Sequence, residues 1–135
     1  MLSEKRRDEL IAAAIEARKG SYSPYSHYAV GAALFTENDE LYSGSNIENA
    51  VYPLSLCAER VAAFKAISEG ARQIQAIAVV TRDGGTPCGA CRQVLSEFGL
   101  EAEVFIANDN GELIDSTTVS QLLPKSFGPS NLESD

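Results

Sequence analysis

Three cysteines are the residues in this chain with the clearest capacity for chemistry: Cys57, Cys88 and Cys91. Cys88 and Cys91 belong to the stretch PCGACRQ, and their spacing places them on one face of a helical turn. Two thiolates so arranged can chelate one metal ion, and zinc suits soft sulfur ligands. The same CxxC also fits thiol redox chemistry, half of a zinc site, or two small buried side chains. Cys57 changes the count. It makes three ligands, whereas a structural zinc site normally takes four from the protein. The single histidine, His27, lies in a loop far upstream, and there is no fourth cysteine. Three ligands leave one position for water, which is the pattern of a catalytic zinc.

An open zinc site needs a proton carrier beside its water. Glu59 follows Cys57 by two residues in LCAER and is placed for that task if a helix begins there. An isolated acidic residue in a first helical turn more often just complements the helix dipole. Beside three cysteines and an open coordination position, the catalytic role is the better reading. Three thiolates on a dication leave a negative centre. Two helix amino termini can offset it through their backbone N–H groups. Arg60 can donate to sulfur as well; Arg92 is a weaker candidate and reads more simply as a surface arginine.

The elements that must position these residues can be read from periodicity and breakers. Ser3 is a plausible N-cap for a first helix, with Leu10, Ile11, Ala14 and Ile15 at helical spacing and Gly20 as its stop. SYSPYSH follows as a loop interrupted by Pro24. YAVGAALFT and LYSGSN predict an antiparallel hairpin across the turn ENDE. A helix is expected from about Ser55 to Glu69, with Gly70 as its stop. QIQAIAVVT is a buried strand, RDGGTP a loop, and a helix runs from about Cys88 to Phe98 before Gly99. AEVFIA is a strand, NDNG a turn, ELIDST a short or edge strand, and TVSQLL a last helix stopped by Pro124. KSFGPSNLESD reads as a loose tail, with residues 129–135 expected to be disordered. This order predicts one α/β domain over residues 1–135, a three-layer α/β/α sandwich on a mixed five-stranded sheet. The small residues of the helix at 61–67 suit close packing between subunits.

Composition narrows the function classes. The chain has 135 residues, 44% hydrophobic and 22% charged, as expected of one globular domain. Its net charge of −8 opposes a non-specific grip on nucleic acid and leaves a small neutral substrate open. No apolar run approaches the ~20 residues of a membrane span. MLSEKRRDEL lacks the apolar segment of a secretory signal, so a cytoplasmic location is expected. The odd cysteine count argues against a disulfide framework.

CAER, followed about thirty residues later by PCGACRQ, resembles the zinc nucleoside deaminases. More narrowly, the chain is similar to the small homotetrameric cytidine deaminases. SPYSHYAVGAAL, GSNIENAVYP, CAERVAAFKAISEG, TPCGACRQVLSEF and LLPKSFGP occur in that family's order and spacing, over nearly the whole chain. The resemblance implies one Zn2+ per subunit on Cys57, Cys88 and Cys91, with Glu59 as the proton shuttle. It implies that Asn46 and Glu48 bind the sugar hydroxyls and that the Ala58 backbone helps to hold the base. Tyr28 stands where relatives often carry Phe against the base, so its ring has an implied role and its hydroxyl none. Phe127 is similar to a residue that closes a neighbouring subunit's site. The plainer alternatives are turn residues for Asn46 and Glu48, core or interface packing for Tyr28, and a tail aromatic for Phe127. The implied reaction is hydrolytic deamination of cytidine and 2′-deoxycytidine, with Glu59 moving protons from water to N3 and on to the amino group. It requires no organic cofactor, no nucleic acid and no membrane. A structural zinc module, a polynucleotide-editing deaminase and a cysteine-nucleophile enzyme are the competing classes. The first lacks a fourth ligand, the second a basic groove, and the third a histidine partner.

Overall fold

Inner strands that are apolar on both faces need cover on both sides. In the computed structural model, which describes residues 1–133, three such strands lie at the centre of a five-stranded sheet. They are β1 (Gly31–Thr36), β3 (Ile74–Thr81) and β4 (Glu103–Asn108). Two edge strands, β2 (Leu41–Ser45) and β5 (Leu113–Thr118), complete the order β2-β1-β3-β4-β5. β1 runs antiparallel to β2 and β3, β3 and β4 are parallel, and β5 is antiparallel to β4. The expected mixed sheet is therefore present.

Side-chain alternation divides the core in two. Ala33, Phe35, Ala76, Ala78, Val80, Phe105 and Ala107 face one helix, α1 (Glu4–Arg18), which contributes Leu10, Ile11 and Ala14. Their neighbours Ala32, Leu34, Ile77, Val79, Val104 and Ile106 face the other side. There α2 (Ala58–Ser68) brings Ala62, Ala63 and Ala66, and α3 (Gly89–Phe98) brings Leu95. Each fully buried Leu, Ile or Phe contributes about 1.5–3 kcal/mol. These two interfaces hold the three layers together. A short helix, α4 (Val119–Leu122), follows β5 and starts on a capping box formed by Thr118 and Gln121.

The structure departs from the sequence expectation at four places, each with a local cause. The first strand begins at Gly31, not Tyr28, because Asn46 engages the preceding backbone through Tyr28 O and Val30 N. Gly31 itself allows close approach, since a Cβ there would overlap the Ala14 carbonyl of α1. The second helix begins at Ala58, not Ser55, because Leu56 pairs as an extended residue with Ile47. The alanines expected to serve packing between subunits are instead fully buried within the chain, where Ala62 lies over Gly44 of β2. The tail contains a 3-10 turn at Pro129–Leu132; residues 134 and 135 of the expected disordered segment lie outside the described residues.

β3, α3 and β4 form a parallel crossover, so the loop leaving the carboxyl end of β3 leads directly into the CxxC helix. The carboxyl ends of parallel strands are where such sheets gather ligands.

Candidate active site

Both metal-binding motifs sit at helix starts. Cys57 is the N-cap of α2 and Cys88 the N-cap of α3, with Cys91 one turn further along. Neither cysteine caps its helix through a side-chain hydrogen bond, so first-turn N–H groups stay free to face the sulfurs. Packing of α2 and α3 on the same sheet face brings the two ends together. Cys57 Sγ is 3.8 Å from Cys88 Sγ, which is 3.5 Å from Cys91 Sγ, and all three lie within 4.8 Å of one another. Tetrahedral zinc with sulfurs at about 2.3 Å spaces them about 3.8 Å apart, so the cluster fits zinc. The thiols are all free, and the separations are far beyond a disulfide bond. Among the described residues, no further His, Cys, Asp or Glu joins this cluster. The donor set is three sulfurs, as counted from sequence.

The electrostatics favour thiolate. Cys57 is pushed down to about 5, first by the neighbouring Cys91 thiol and then by Arg60. Arg60 Nη2 donates to Cys57 Sγ at 3.3 Å. Its Nε is buried and has no partner, leaving one more donor beside the cluster. Arg92 behaves differently from either expectation. It is neither a sulfur donor nor a free surface side chain. Its guanidinium donates to Pro87 O at 2.8 Å, Leu122 O at 2.9 Å and Thr86 Oγ1 at 3.2 Å. It thereby ties the ligand loop to the end of α4.

Glu59 lies in the first turn of α2 and is only 4% exposed. Burial first, and then the charge on Cys57, push its carboxyl up to about 7 against opposing backbone and Arg60 contributions. A carboxyl buried beside a three-sulfur cluster is placed to exchange protons with whatever that cluster binds.

Glu59, Cys57 and Cys88 line a cavity of about 310 Å3, within the range of small-molecule sites. Val30, Leu56 and Val79 supply apolar wall, while Ser26, Ser55, Thr81 and Thr86 supply polar groups. The cavity also brings together Tyr28, Asn46 and Glu48. Asn46 is 8% exposed and largely engaged: its carboxamide oxygen accepts from Ser21 Oγ and Val30 N, and its amide donates to Tyr28 O at 2.8 Å. One N–H remains for a ligand. Glu48 accepts from Tyr25 N at 2.9 Å, Ser26 N at 3.1 Å and Ser26 Oγ. These bonds, with the Ser26 hydroxyl foremost, hold its carboxyl below the usual range. Both residues organise loops, as the plainer reading held, and both also face the cavity.

Neither Ala58 nor Phe127 lines this cavity; the first is expected to act through its backbone and the second at a neighbouring subunit's site. The Ala58 side chain is fully buried in the core beneath α2, so this residue can act only through its main chain. Phe127 is 57% exposed, does not line the cavity of its own chain, and is held through its carbonyl by Gln93 Nε2 at 2.9 Å. Thr81, Gly85 and Thr86 were missed in the sequence. Their signal was position: they end β3 and open the loop before CxxC, where a parallel crossover gathers its ligands. A larger and shallower depression of about 850 Å3 lies at the amino ends of β3 and β4, lined by residues such as Arg72, Phe98 and Leu100. It holds none of the three cysteines.

With this geometry in place, the comparisons with known proteins are specific. The chain is 47% identical over 128 residues to a cytidine deaminase of Sporosarcina psychrophila, covering 93% of each chain. It is 51% identical over 124 residues to a cytidine deaminase of Halalkalibacterium halodurans, covering 90% of this chain and 93% of that one. Its fold matches the crystal structure of cytidine deaminase from Burkholderia pseudomallei with a TM-score of 0.85 and 44% identity, covering 93% of this chain and all of the other. Residues 4–107, which span all three sulfurs and Glu59, match the cytidine and deoxycytidylate deaminase zinc-binding region, and the chain belongs to that family.

Proposed function

We propose that this protein catalyses the hydrolytic deamination of cytidine and 2′-deoxycytidine. Water and the nucleoside give uridine or 2′-deoxyuridine and ammonia, a step of pyrimidine salvage. The observation that carries the reading is a buried carboxyl, Glu59, beside a three-sulfur cluster at the wall of a nucleoside-sized cavity. Cys57, Cys88 and Cys91 hold the zinc, which when bound supplies a Lewis-acidic charge that makes water a nucleophile near neutral pH.

The remaining work belongs to side chains. Glu59 takes a proton from the attacking water and delivers it to N3 of the base, which makes C4 more electrophilic. It then takes the proton of the new C4 hydroxyl and passes it to the amino group, so that the C4–N bond breaks, ammonia leaves and C4 becomes the carbonyl of the product. Its burial beside the cluster and at the cavity wall places it within reach of both the water and the base. Arg60 offsets thiolate charge through Cys57. The free N–H of Asn46 and the remaining acceptor capacity of Glu48 bind the sugar hydroxyls, Tyr28 presents its ring to the base, and the main chain of Ala58, the first residue of α2, helps to hold the base.

A homotetramer in which Phe127 reaches a neighbouring site is the assembly we propose. It is supported by the exposure of Phe127 and by the exposed apolar group Tyr25, Val51, Tyr52 and Leu54. Sedimentation velocity tests it, and a monomer at micromolar concentration refutes it. A cysteine set given over to one metal, with no disulfide framework, is consistent with a cytoplasmic location. Among the described residues, no helix is long and apolar enough to cross a membrane.

The decisive experiment follows the ultraviolet absorbance of cytidine and 2′-deoxycytidine with zinc-loaded protein, then with protein stripped by a chelator. Conversion that stops on stripping and returns with zinc is expected. A zinc-loaded protein that leaves both nucleosides unchanged overturns the reading.

A further inference from the structure

The Tyr28 hydroxyl has no task in the family resemblance, yet it is the best-held atom of that side chain. It donates to Asp83 Oδ1 at 2.6 Å. The same Asp83 oxygen accepts from Thr81 Oγ1 at 3.2 Å, and Thr81 Oγ1 in turn accepts from Gly85 N at 2.7 Å. A Cβ at Gly85 would overlap the Tyr28 hydroxyl where it now sits, so the glycine lets the hydroxyl approach the loop. The Arg82 guanidinium lies 5.0 Å from the Tyr28 ring centroid and outside the cavity lining. Residues 82, 83 and 85 of one loop therefore grip one aromatic ring at its tip and its face. That loop continues into Thr86 and Cys88, which line the cavity opposite the lead-in to β1. Tyr28, on that lead-in, lies outside the regular sheet; its main chain is held by Asn46 and the Ser26 hydroxyl, and its ring by this loop's contacts.

We propose that Asp83 is a positioning residue: through the Tyr28 hydroxyl it locks the aromatic wall of the nucleoside cavity to the loop that presents Cys88, and so sets affinity for the base. The nature of the ligand rests on the proposed deaminase activity; the latch itself rests on the contacts above. A hydroxyl bonded to an ionised carboxylate is stronger than a neutral pair, and the Tyr28 bond is the first cause holding Asp83 below the usual carboxylate range. A ring fixed before the ligand arrives does not have to be ordered during binding. Such a restraint acts on ground state and transition state alike, so it moves KM and not kcat.

The test is a double-mutant cycle with Asp83→Ala, Tyr28→Phe and the double variant, in zinc-loaded protein with cytidine as the probe. Asp83 is exposed, so the expected loss is modest: KM rises about 3- to 10-fold in Asp83→Ala, with kcat held within about twofold. In the Tyr28→Phe background Asp83→Ala adds nothing further, because the bond is already gone. A wild-type KM in Asp83→Ala, or an equal loss in both backgrounds, overturns the proposal. Amide hydrogen exchange across residues 82–87 decides the latch independently of turnover. Faster exchange there in Tyr28→Phe, with β1 and β3 unchanged, supports it, and unchanged exchange overturns it. Should wild-type protein leave cytidine untouched, the deaminase reading fails and the exchange result alone decides the latch.

Discussion

Replacing Glu59 by Gln keeps the volume of a buried side chain and removes its ability to carry a proton. No neighbouring carboxylate can take over, because Glu48 is bonded to Tyr25 and Ser26 at the rim and Asp83 is bonded to Tyr28. A positioned acid or base contributes about 10²- to 10⁴-fold per transfer. In the proposed reaction Glu59 serves both the ring nitrogen and the leaving amino group, so kcat should fall by at least about 10⁴-fold, or about 5 kcal/mol of activation free energy. Zinc content should stay at the wild-type level, since the three sulfurs are untouched. The same substitution makes an opposite prediction for stability of the metal-free protein. Burial, then the Cys57 charge, raises the Glu59 carboxyl from 4.5 to about 7. The folded chain therefore binds this proton more tightly than the unfolded chain does. Its stabilising effect is complete below about pH 4.5 and is lost as the pH rises through about 7, where a buried charge is left. At about 1.4 kcal/mol per pKa unit, the penalty approaches 3 kcal/mol. Metal-free Glu59→Gln should thus be more stable than metal-free wild type by up to about 3 kcal/mol near pH 8, and this advantage should vanish near pH 4.5. Urea denaturation in the presence of a chelator measures it, and a continuous ultraviolet assay measures turnover. Full turnover in Glu59→Gln, or a stability difference that ignores pH, would refute the proton-shuttle reasoning.

Three further perturbations probe the parts around this carboxyl. Cys57→Ala removes one of three sulfurs and should drop bound zinc well below one per chain; a stoichiometric metal content unchanged by the substitution contradicts the ligand set. Arg92→Ala removes bonds to Pro87, Leu122 and Thr86, and should lower stability by about 1–3 kcal/mol and weaken zinc retention, read by thermal melting and chelator competition. Retention equal to wild type would show that this arginine does not shape the ligand loop. Glu48→Gln should destabilise the protein at neutral pH through lost bonds to Tyr25 and Ser26. Because the folded-state value of Glu48 is depressed, its contribution is present above the unfolded carboxylate range and lost as pH falls through the folded value. The gap between variant and wild type should therefore close on acidification, and a gap that persists at low pH would exclude this origin.

The three-sulfur cluster and the placing of Glu59 beside it were legible in the chain because each depends on local spacing. CxxC fixes two sulfurs within one turn, and Cys-x-Glu fixes a carboxyl at a helix start, whatever the rest of the fold does. The layered architecture was legible for a similar reason: continuous apolar runs at 74–81 and 103–108 cannot be half-exposed, so they demand helices on both faces. Tertiary structure decided what depends on the meeting of distant segments. Leu56 pairing with Ile47 moved the start of α2 to Ala58 and turned Cys57 into a cap. Gly44 lying under Ala62 claimed the small residues of α2 for the chain's own sheet. Arg92 and the Tyr28 hydroxyl found partners 30 and 55 residues away, in Leu122 and Asp83. No periodicity announces such pairs, because a hydrogen bond between remote loops exists only once the sheet has brought their ends together. The chemistry of this protein is thus written in short motifs, while the shape and tightness of the cavity around it are set by contacts that folding alone creates.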